Sequence, residues 1–287
     1  MHKLIVLSLL LVATTMGRLS AQQTLTGQVV DESDGTPIPY TTIGISGTDI
    51  GTVSDGKGSF KLVIPETLDK PDATLVFSCV GYTDLDVAVA SLKANDEQEY
   101  RLTPFVHEMP EVRVSSKPPK EVSYGNRGRA LLTHFHFYTS TEEFEELGRE
   151  LGRVLKVAPD IKLEEFNFFV ENASFKRVKF RLNLYDLSNE VPEKIKLGKD
   201  ILFDVTQSSG WFKVDLVPYN IYLQGYKKIG VTIQWLESEK NDRRDEFFSI
   251  PVGLVPPNGL IRRSKSEAPW QFDKGNLSMY VKALKYQ

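Results

Sequence analysis

Four histidines are the chain's side-chain bases with pKa values near neutrality, and one cysteine is its only thiol. His107, His134 and His136 remain once the first two dozen residues are set aside. A zinc peptidase site built on H-x-x-E needs a glutamate three residues after a histidine. Here Pro110 follows His107 at that position, Phe137 follows His134, and Thr139 follows His136. His134 and His136 in "THFHFY" share one face of a strand and would need a third ligand to hold a metal; a solvent-facing or satisfied pair is the plainer expectation. Cys79 alternates with Leu75 and Phe77 in "TLVFSCV", which points to a buried structural thiol rather than a nucleophile. With one cysteine, no disulfide can form within the chain. There is no G-x-S-x-G elbow. Thirty-eight carboxylates leave a glycosidase-like pair open on composition alone, but none stands in a catalytic sequence context. The reading is therefore no catalytic residues, no metal and no cofactor.

Phosphate or cation binding would be the chemistry of the glycine-rich stretch "GTVSDGKGSFKL", residues 51–62. A phosphate loop needs G-x-x-x-x-G-K-[ST] feeding a helix, and an EF-hand needs further acids and a closing glutamate. Neither is present. Asp55-Gly56 supplies turn geometry for a hairpin and Gly58 eases the next strand's entry, so the stretch reads as a turn between two strands.

Aromatic residues are the remaining binding chemistry. Trp211 in "SSGWFKVDL" and Trp235 in "VTIQWLES" lie in strand patterns and are expected in or near a core. Trp270 sits in the polar loop "RRSKSEAPWQFDKGN" beside Arg262 and Arg263. These three are the candidate ligand-binding residues. A loop tryptophan there can stack on a sugar ring, anchor a protein partner, or fold back over a sandwich edge.

The elements that must position these groups are strands. Residues 1–21 carry Lys3, the apolar run 4–12 and then small residues, the pattern of a signal peptide cleaved after Ala21. No other apolar run has the roughly 20 residues a membrane helix needs. The protein is expected to be exported without a transmembrane helix. Residues 22–116 hold 15 acidic residues against 6 basic, and residues 117–287 hold 23 against 27. That shift supports a boundary near residue 116 and argues against nucleic acid as a partner. In the first half, "TLTGQVVD", "YTTIGI", "GSFKLVI", "ATLVFSCV", "TDLDVAV" and "EQEYRL" are strands, with a seventh around "GTVS". Phe60, Leu62 and Ile64 share an apolar face.

Those motifs in that order, "TGQVVDESDGTPIPYTTIGISGTDIGTVSDGKGSF" closing on "LVFSCVGY", resemble the carboxypeptidase-regulatory-like domain. The resemblance covers about 85 residues. It rests on Gly27 and Asp31, the Pro37-Ile38-Pro39 segment, Gly47-Thr48, Asp55, Gly58 and Phe60, and Gly81-Tyr82. It implies a transthyretin-like seven-stranded β-sandwich of the kind found at the N-termini of Bacteroidota surface receptors and other exported proteins. It implies no zinc site or protease machinery, but extracytoplasmic display, structural support or protein contact. Cys79 stands where relatives often carry an aromatic residue.

In receptors that begin this way a plug and a large barrel follow; the fewer than 180 residues here are too few for a barrel of that size. Residues 108–123, with Pro118-Pro119, read as a linker. Residues 124–287 contain "EEFNFFVEN", "RVKFRLNLYDL", "GWFKVDL", "KKIGVTIQWL", "EFFSIPVGL" and "LSMYVKALKY", a second β-sandwich of jelly-roll type. In residues 178–186, Phe180, Leu182 and Leu184 face one way while Lys179, Arg181, Asn183 and Tyr185 face the other, as in a half-buried strand. Residues 140–156 mix helical spacing with Gly148 and Gly152, so one short helical turn and then a strand from about Arg149 are expected. Asn241 to Glu246 read as a polar hairpin loop. The whole is an all-β protein: residues 22–107 a first sandwich, 124–287 a second. The functional expectation is a non-catalytic binding or scaffold protein held in the periplasm or on the surface of a Gram-negative cell. Its partner would be an envelope protein or a glycan. A carbohydrate-binding accessory protein is the first alternative and a hydrolase with dispersed acids the second.

Overall fold

A computed structural model describes residues 22–65, 68, 72–92, 98–105, 118–130, 133–139, 147–187, 191–241 and 246–286. The leader, His107 and the possible helical turn before Gly148 lie outside them. The described residues are almost entirely strand, and no helix among them is long and apolar enough to cross a membrane.

Seven strands come first: β1 (Gln22–Asp31), β2 (Thr42–Ile45), β3 (Gly51–Val53), β4 (Ser59–Pro65), β5 (Thr74–Ser78), β6 (Leu85–Ala88) and β7 (Gln98–Leu102). They form two sheets, β4-β1-β7 and β3-β2-β5-β6, with β1 antiparallel to β4 and parallel to β7. The period-2 pattern has the expected consequence in β4, where Phe60, Leu62 and Ile64 are buried and Ser59, Lys61 and Val63 exposed. Phe60, Phe77 and Tyr100 meet in the core with ring centroids 4.3 to 5.7 Å apart. Gly27 makes room for them. A Cβ there would lie 2.6 Å from the Gln98 carbonyl oxygen and 2.9 Å from the Tyr100 ring.

The turn at residues 54–58 departs from the expected hairpin. β3 pairs with β2 and β4 with β1, so the glycine-rich stretch carries the chain from one sheet to the other. Asp55 Oδ1 accepts hydrogen bonds from the backbone N–H groups of Lys57 (2.8 Å) and Ser59 (2.9 Å). Gly58, not Gly56, takes the positive φ, at 74°.

Fourteen further strands follow: β8 (Lys120–Gly125), β9 (Thr133–Thr139), β10 (Glu150–Lys156), β11 (Asp160–Val170), β12 (Asn172–Ala173), β13 (Arg177–Asp186) and β14 (Glu193–Lys194), then β15 (Leu202–Val205), β16 (Gly210–Asp215), β17 (Tyr222–Gln224), β18 (Lys228–Glu239), β19 (Glu246–Arg263), β20 (Gln271–Leu277) and β21 (Met279–Lys285). A nine-stranded sheet runs β12-β19-β10-β18-β13-β14 with β9, β15 and β20 alongside. A five-stranded sheet runs β16-β11-β21-β8 with β17 alongside. Phe166, Phe168, Phe180, Trp235 and Phe248 fill the space between them. β10 lies between β18 and β19, so these two strands do not pair as the hairpin expected around Asn241 to Glu246; residues 242–245 lie outside the described residues. β8 begins at Lys120, inside the stretch read as linker, because its backbone pairs with β21. Trp211 is 38% exposed on the outer face of the five-stranded sheet, not in a core, and packs edge-on against Phe169 and Tyr280.

β13 differs most from its sequence reading. Its inward face is apolar as expected, but Arg181, Asn183 and Tyr185 on the other face are buried too. The first sandwich covers them. Arg181 Nη2 donates to the Tyr40 carbonyl oxygen at 2.7 Å, and Nη1 reaches Thr42 Oγ1 at 3.3 Å. Tyr40 OH donates to Glu237 at 2.9 Å. Ser266 Oγ donates to the Thr52 carbonyl oxygen at 3.1 Å, and the Gly47 N–H to that of Glu267 at 3.1 Å. A Cβ at Gly51 would lie 2.5 Å from the Ser266 carbonyl oxygen, and one at Gly44 would also collide with it, so glycine lets the two backbones touch.

Candidate functional site

Where the two sandwiches meet, a cleft of about 1390 Å³ opens beside the buried junction. The first sandwich contributes Thr42, residues 78–82, Asp84 and Phe105; the second contributes Tyr185, residues 191–192, residues 194–199, residues 218–224, Arg263 and residues 267–270. Its floor rests on a polar network inside the junction. Glu150, fully buried at the start of β10, accepts from Asn183 Nδ2 and Tyr185 OH at 2.8 Å each, from Thr232 Oγ1, and from Arg263 Nε at 2.7 Å. Burial alone would raise the Glu150 carboxyl. Arg263 and the hydrogen bonds from Thr232 and Asn183, with help from Lys194, outweigh it and hold the group below the usual glutamate range. Burial, reinforced by Glu150, pushes the Tyr185 phenol well above its usual range. Tyr185 therefore stays a neutral donor.

A second ion pair lies next to the first. Asp200 takes Arg181 on both oxygens, at 2.7 Å from Nε and 2.7 Å from Nη2. Burial works against the Arg181 charge, and the Asp200 pairing more than offsets it. Arg181 Nη1 and Asn183 Nδ2 share Gln234 Oε1, at 3.2 and 3.3 Å. The polar face of β13 is thus satisfied group by group, as a buried network must be if it is to stabilise.

Among the described residues, three that are not glycine have positive φ: Tyr40 at 55°, Asn220 at 50° and Glu267 at 64°. All three lie at the junction or on the cleft wall. Such conformations cost about 1 kcal/mol or more each and persist only where surrounding contacts hold them.

The residues singled out in the sequence fall as follows. Trp270 lines the cleft; its ring stands edge-on to Tyr185 at 4.8 Å, and the Arg263 guanidinium lies over it at 4.8 Å. Arg263 is buried and held by Glu150. Arg262, one residue earlier on β19, faces the other way, pairs with Asp273 at 2.5 Å and sits over the Phe135 ring. Adjacent strand residues point to opposite faces, so Arg262 cannot share a site with the other two. His134 and His136 lie side by side, ring centroids 6.0 Å apart; His134 Nε2 is 3.8 Å from Glu171. Among the described residues, no three His, Cys, Asp or Glu side chains are grouped as a metal site would require. Cys79 is buried, and burial raises its thiol.

Sequence reasoning did not bring out Glu150, Tyr185 or Lys194. A usable signal was there: polar residues recur at every second position, 181, 183 and 185 in β13 and 232 and 234 in β18, within otherwise apolar strands. Matching polar faces on strands that also need apolar inner faces mark a second buried interface.

Fold and cleft define a two-sandwich β-protein whose first unit docks on the outer sheet of the second. Residues 25–114 match the family model of the CarboxypepD_reg-like domain. A 91-residue stretch, 32% of the chain, is 36% identical to a TonB-dependent receptor, P39, of the bacterium Formosa agariphila. The matched stretch is only 8% of that receptor's length. Among solved structures, the cysteine protease and lectin-like domains of Cwp84, a surface-layer-associated protein of Clostridium difficile, align over 92% of this chain and 63% of theirs. The identity is 9% and the TM-score 0.39. Cwp84 after propeptide cleavage gives 10% and 0.37, over 95% of this chain and 74% of that one. Likeness at that level bears on no functional question.

Proposed function

We propose that this is a non-catalytic binding or scaffold protein of the bacterial envelope, exported to the periplasm or cell surface. In this reading the cleft between the sandwiches is its binding site. The division goes with it: a leader to residue 21, a first sandwich over 22–107 serving as spacer or docking module, a linker from 108 that ends where β8 begins at Lys120, and a second sandwich from there to 287. One observation carries the reading. Both sandwiches supply walls to one cleft, and the three positive-φ non-glycine residues are spent at that cleft and the junction beside it, where strain marks function more often than chance. The match to the CarboxypepD_reg-like domain and the partial likeness to a TonB-dependent receptor support the envelope setting.

The test is capture from native envelope extract with the mature chain as bait. A specific partner or glycan should be retained by the wild type and reduced at least tenfold by Trp270→Ala. Hydrolysis of a peptide or glycan library, abolished by a single acid or histidine substitution, would overturn the non-catalytic reading. The placement of Trp270 on the cleft wall also favours a carbohydrate ligand. A glycan array read with wild type and Trp270→Ala separates the two partners: no glycan bound, or binding unchanged by the substitution, removes that version.

A further inference from the structure

Lys194 stands apart in the cleft. It lies on β14, opposite Tyr185 in the ladder with β13, and lines the cleft with it. Four groups act on its ammonium through charge: Arg181, Glu150, Asp200 and Arg263. Each of the two carboxylates is already engaged at hydrogen-bond distance by an arginine, Glu150 by Arg263 and Asp200 by Arg181, both at 2.7 Å. Lys194 itself forms no ion pair with a carboxylate among the described residues. Two cations and two anions nearly cancel around it, and its half-buried side chain lines the cleft wall without a counter-ion of its own. Burial, followed by repulsion from Arg181, accordingly pulls its pKa down. The wider lining leans the same way. Lys194, Lys196 and Lys199 line the cleft with two carboxylates, Asp84 and Glu267; Arg263, also on the wall, is taken up by Glu150 at 2.7 Å and draws on Glu267 at 3.8 Å, leaving the lysines in excess.

We infer that Lys194 is the anchor of an oxyanion site: the cleft takes a ligand bearing a carboxylate, sulfate or phosphate group, which supplies the counter-charge the wall withholds. Trp270, Tyr219 and Tyr222 offer apolar ring surface elsewhere on the cleft wall for the body of the ligand. The inference rests on the cleft being the binding site and adds the charge of what enters it.

The experiment uses the mature chain and simple salts. Sodium acetate, sulfate and phosphate are titrated against sodium chloride at matched ionic strength. The Trp270 indole N–H resonance, assigned with Trp270→Phe, is followed by NMR. At least one oxyanion should give a saturable shift in the millimolar range that chloride does not, and which one does so tells a carboxylate from a tetrahedral oxyanion. Lys194→Met should weaken it about tenfold or more, as expected for losing a charge-assisted hydrogen bond. Lys194→Arg should keep it within a few-fold, and Lys61→Met, on the outer face of β4, should leave it unchanged. No saturable shift with any of the three salts, or equal affinity in Lys194→Met, overturns the inference. Envelope capture that succeeds and is indifferent to Lys194→Met sinks the oxyanion while leaving the binding reading intact. Saturable oxyanion binding with no captured partner supports the site and counts against the wider reading.

Discussion

Glu150 shows what one residue can hold together. It is fully buried, takes three neutral donors and one guanidinium, and draws them from strands 33 to 113 residues away in the chain. Removing the charge while leaving Arg263 in place should cost about 3–5 kcal/mol, since the arginine would be left buried without its counter-ion. Glu150→Gln is therefore expected to lower the melting temperature by several degrees at pH 7. The sign with pH follows from a depressed carboxyl. Its stabilisation is complete above the unfolded glutamate range and is lost as pH falls through the lower folded value. The gap between wild type and Glu150→Gln should accordingly narrow in acid; a gap that widens would mean the carboxyl is protonated in the fold. Phe60 gives an apolar counterpart. It packs against Phe77 and Tyr100, and Phe60→Ala should cost about 3–5 kcal/mol through the cavity left behind. An unchanged melting temperature would contradict the burial of that face. Cys79 should resist thiol reagents in the native protein and react only on unfolding, because the buried thiol is kept protonated.

At the scale of elements, β2, β3 and the loop over residues 264–268 form the contact between sandwiches. Ile43 and Ile45 point into the first core, while Gly44 points at Ser266. Gly44→Val should therefore push the loop away without emptying either core. Amides of β2 and β13 should then exchange with solvent faster, while those of β1 and β4 keep their protection. Equal protection throughout would mean the loop does not hold the sandwiches together. The strands themselves were easy to read, because alternation with period 2 is a local property: all seven strands of the first sandwich stand where their patterns lie. The turn at residues 54–58 was harder. Asp55 and Gly58 announce that the chain bends, but not which sheet receives the next strand; that depends on β1, 30 residues earlier, pairing with β4.

In the whole molecule, Arg181, paired with Asp200, bonds across the junction to Tyr40 and Thr42, between two bodies that each have a core of their own. Calorimetry of the wild type should show one unfolding transition, because separating the sandwiches strips Arg181 of those bonds. Arg181→Leu, which removes the bonds to Tyr40, Thr42 and Asp200, should split it into two. A single transition in the variant would place the coupling elsewhere. The candidate site was only partly legible for the same reason. Trp270 could be picked out as an aromatic in a charged loop, and it does line the cleft. Arg262 looked equivalent to Arg263 because adjacency in sequence hides the alternation of strand faces. Lys194 looked like any lysine between turns. From its sequence alone the chain could be read as all-β, with a first sandwich of known kind, because side-chain alternation and turn chemistry are encoded within a few residues. Only the tertiary structure decided that the polar face of β13 is an interior, that Glu150 and Arg263 are partners, and that a cleft opens beside them. Those facts depend on which distant surfaces come together, and local patterns carry no record of that.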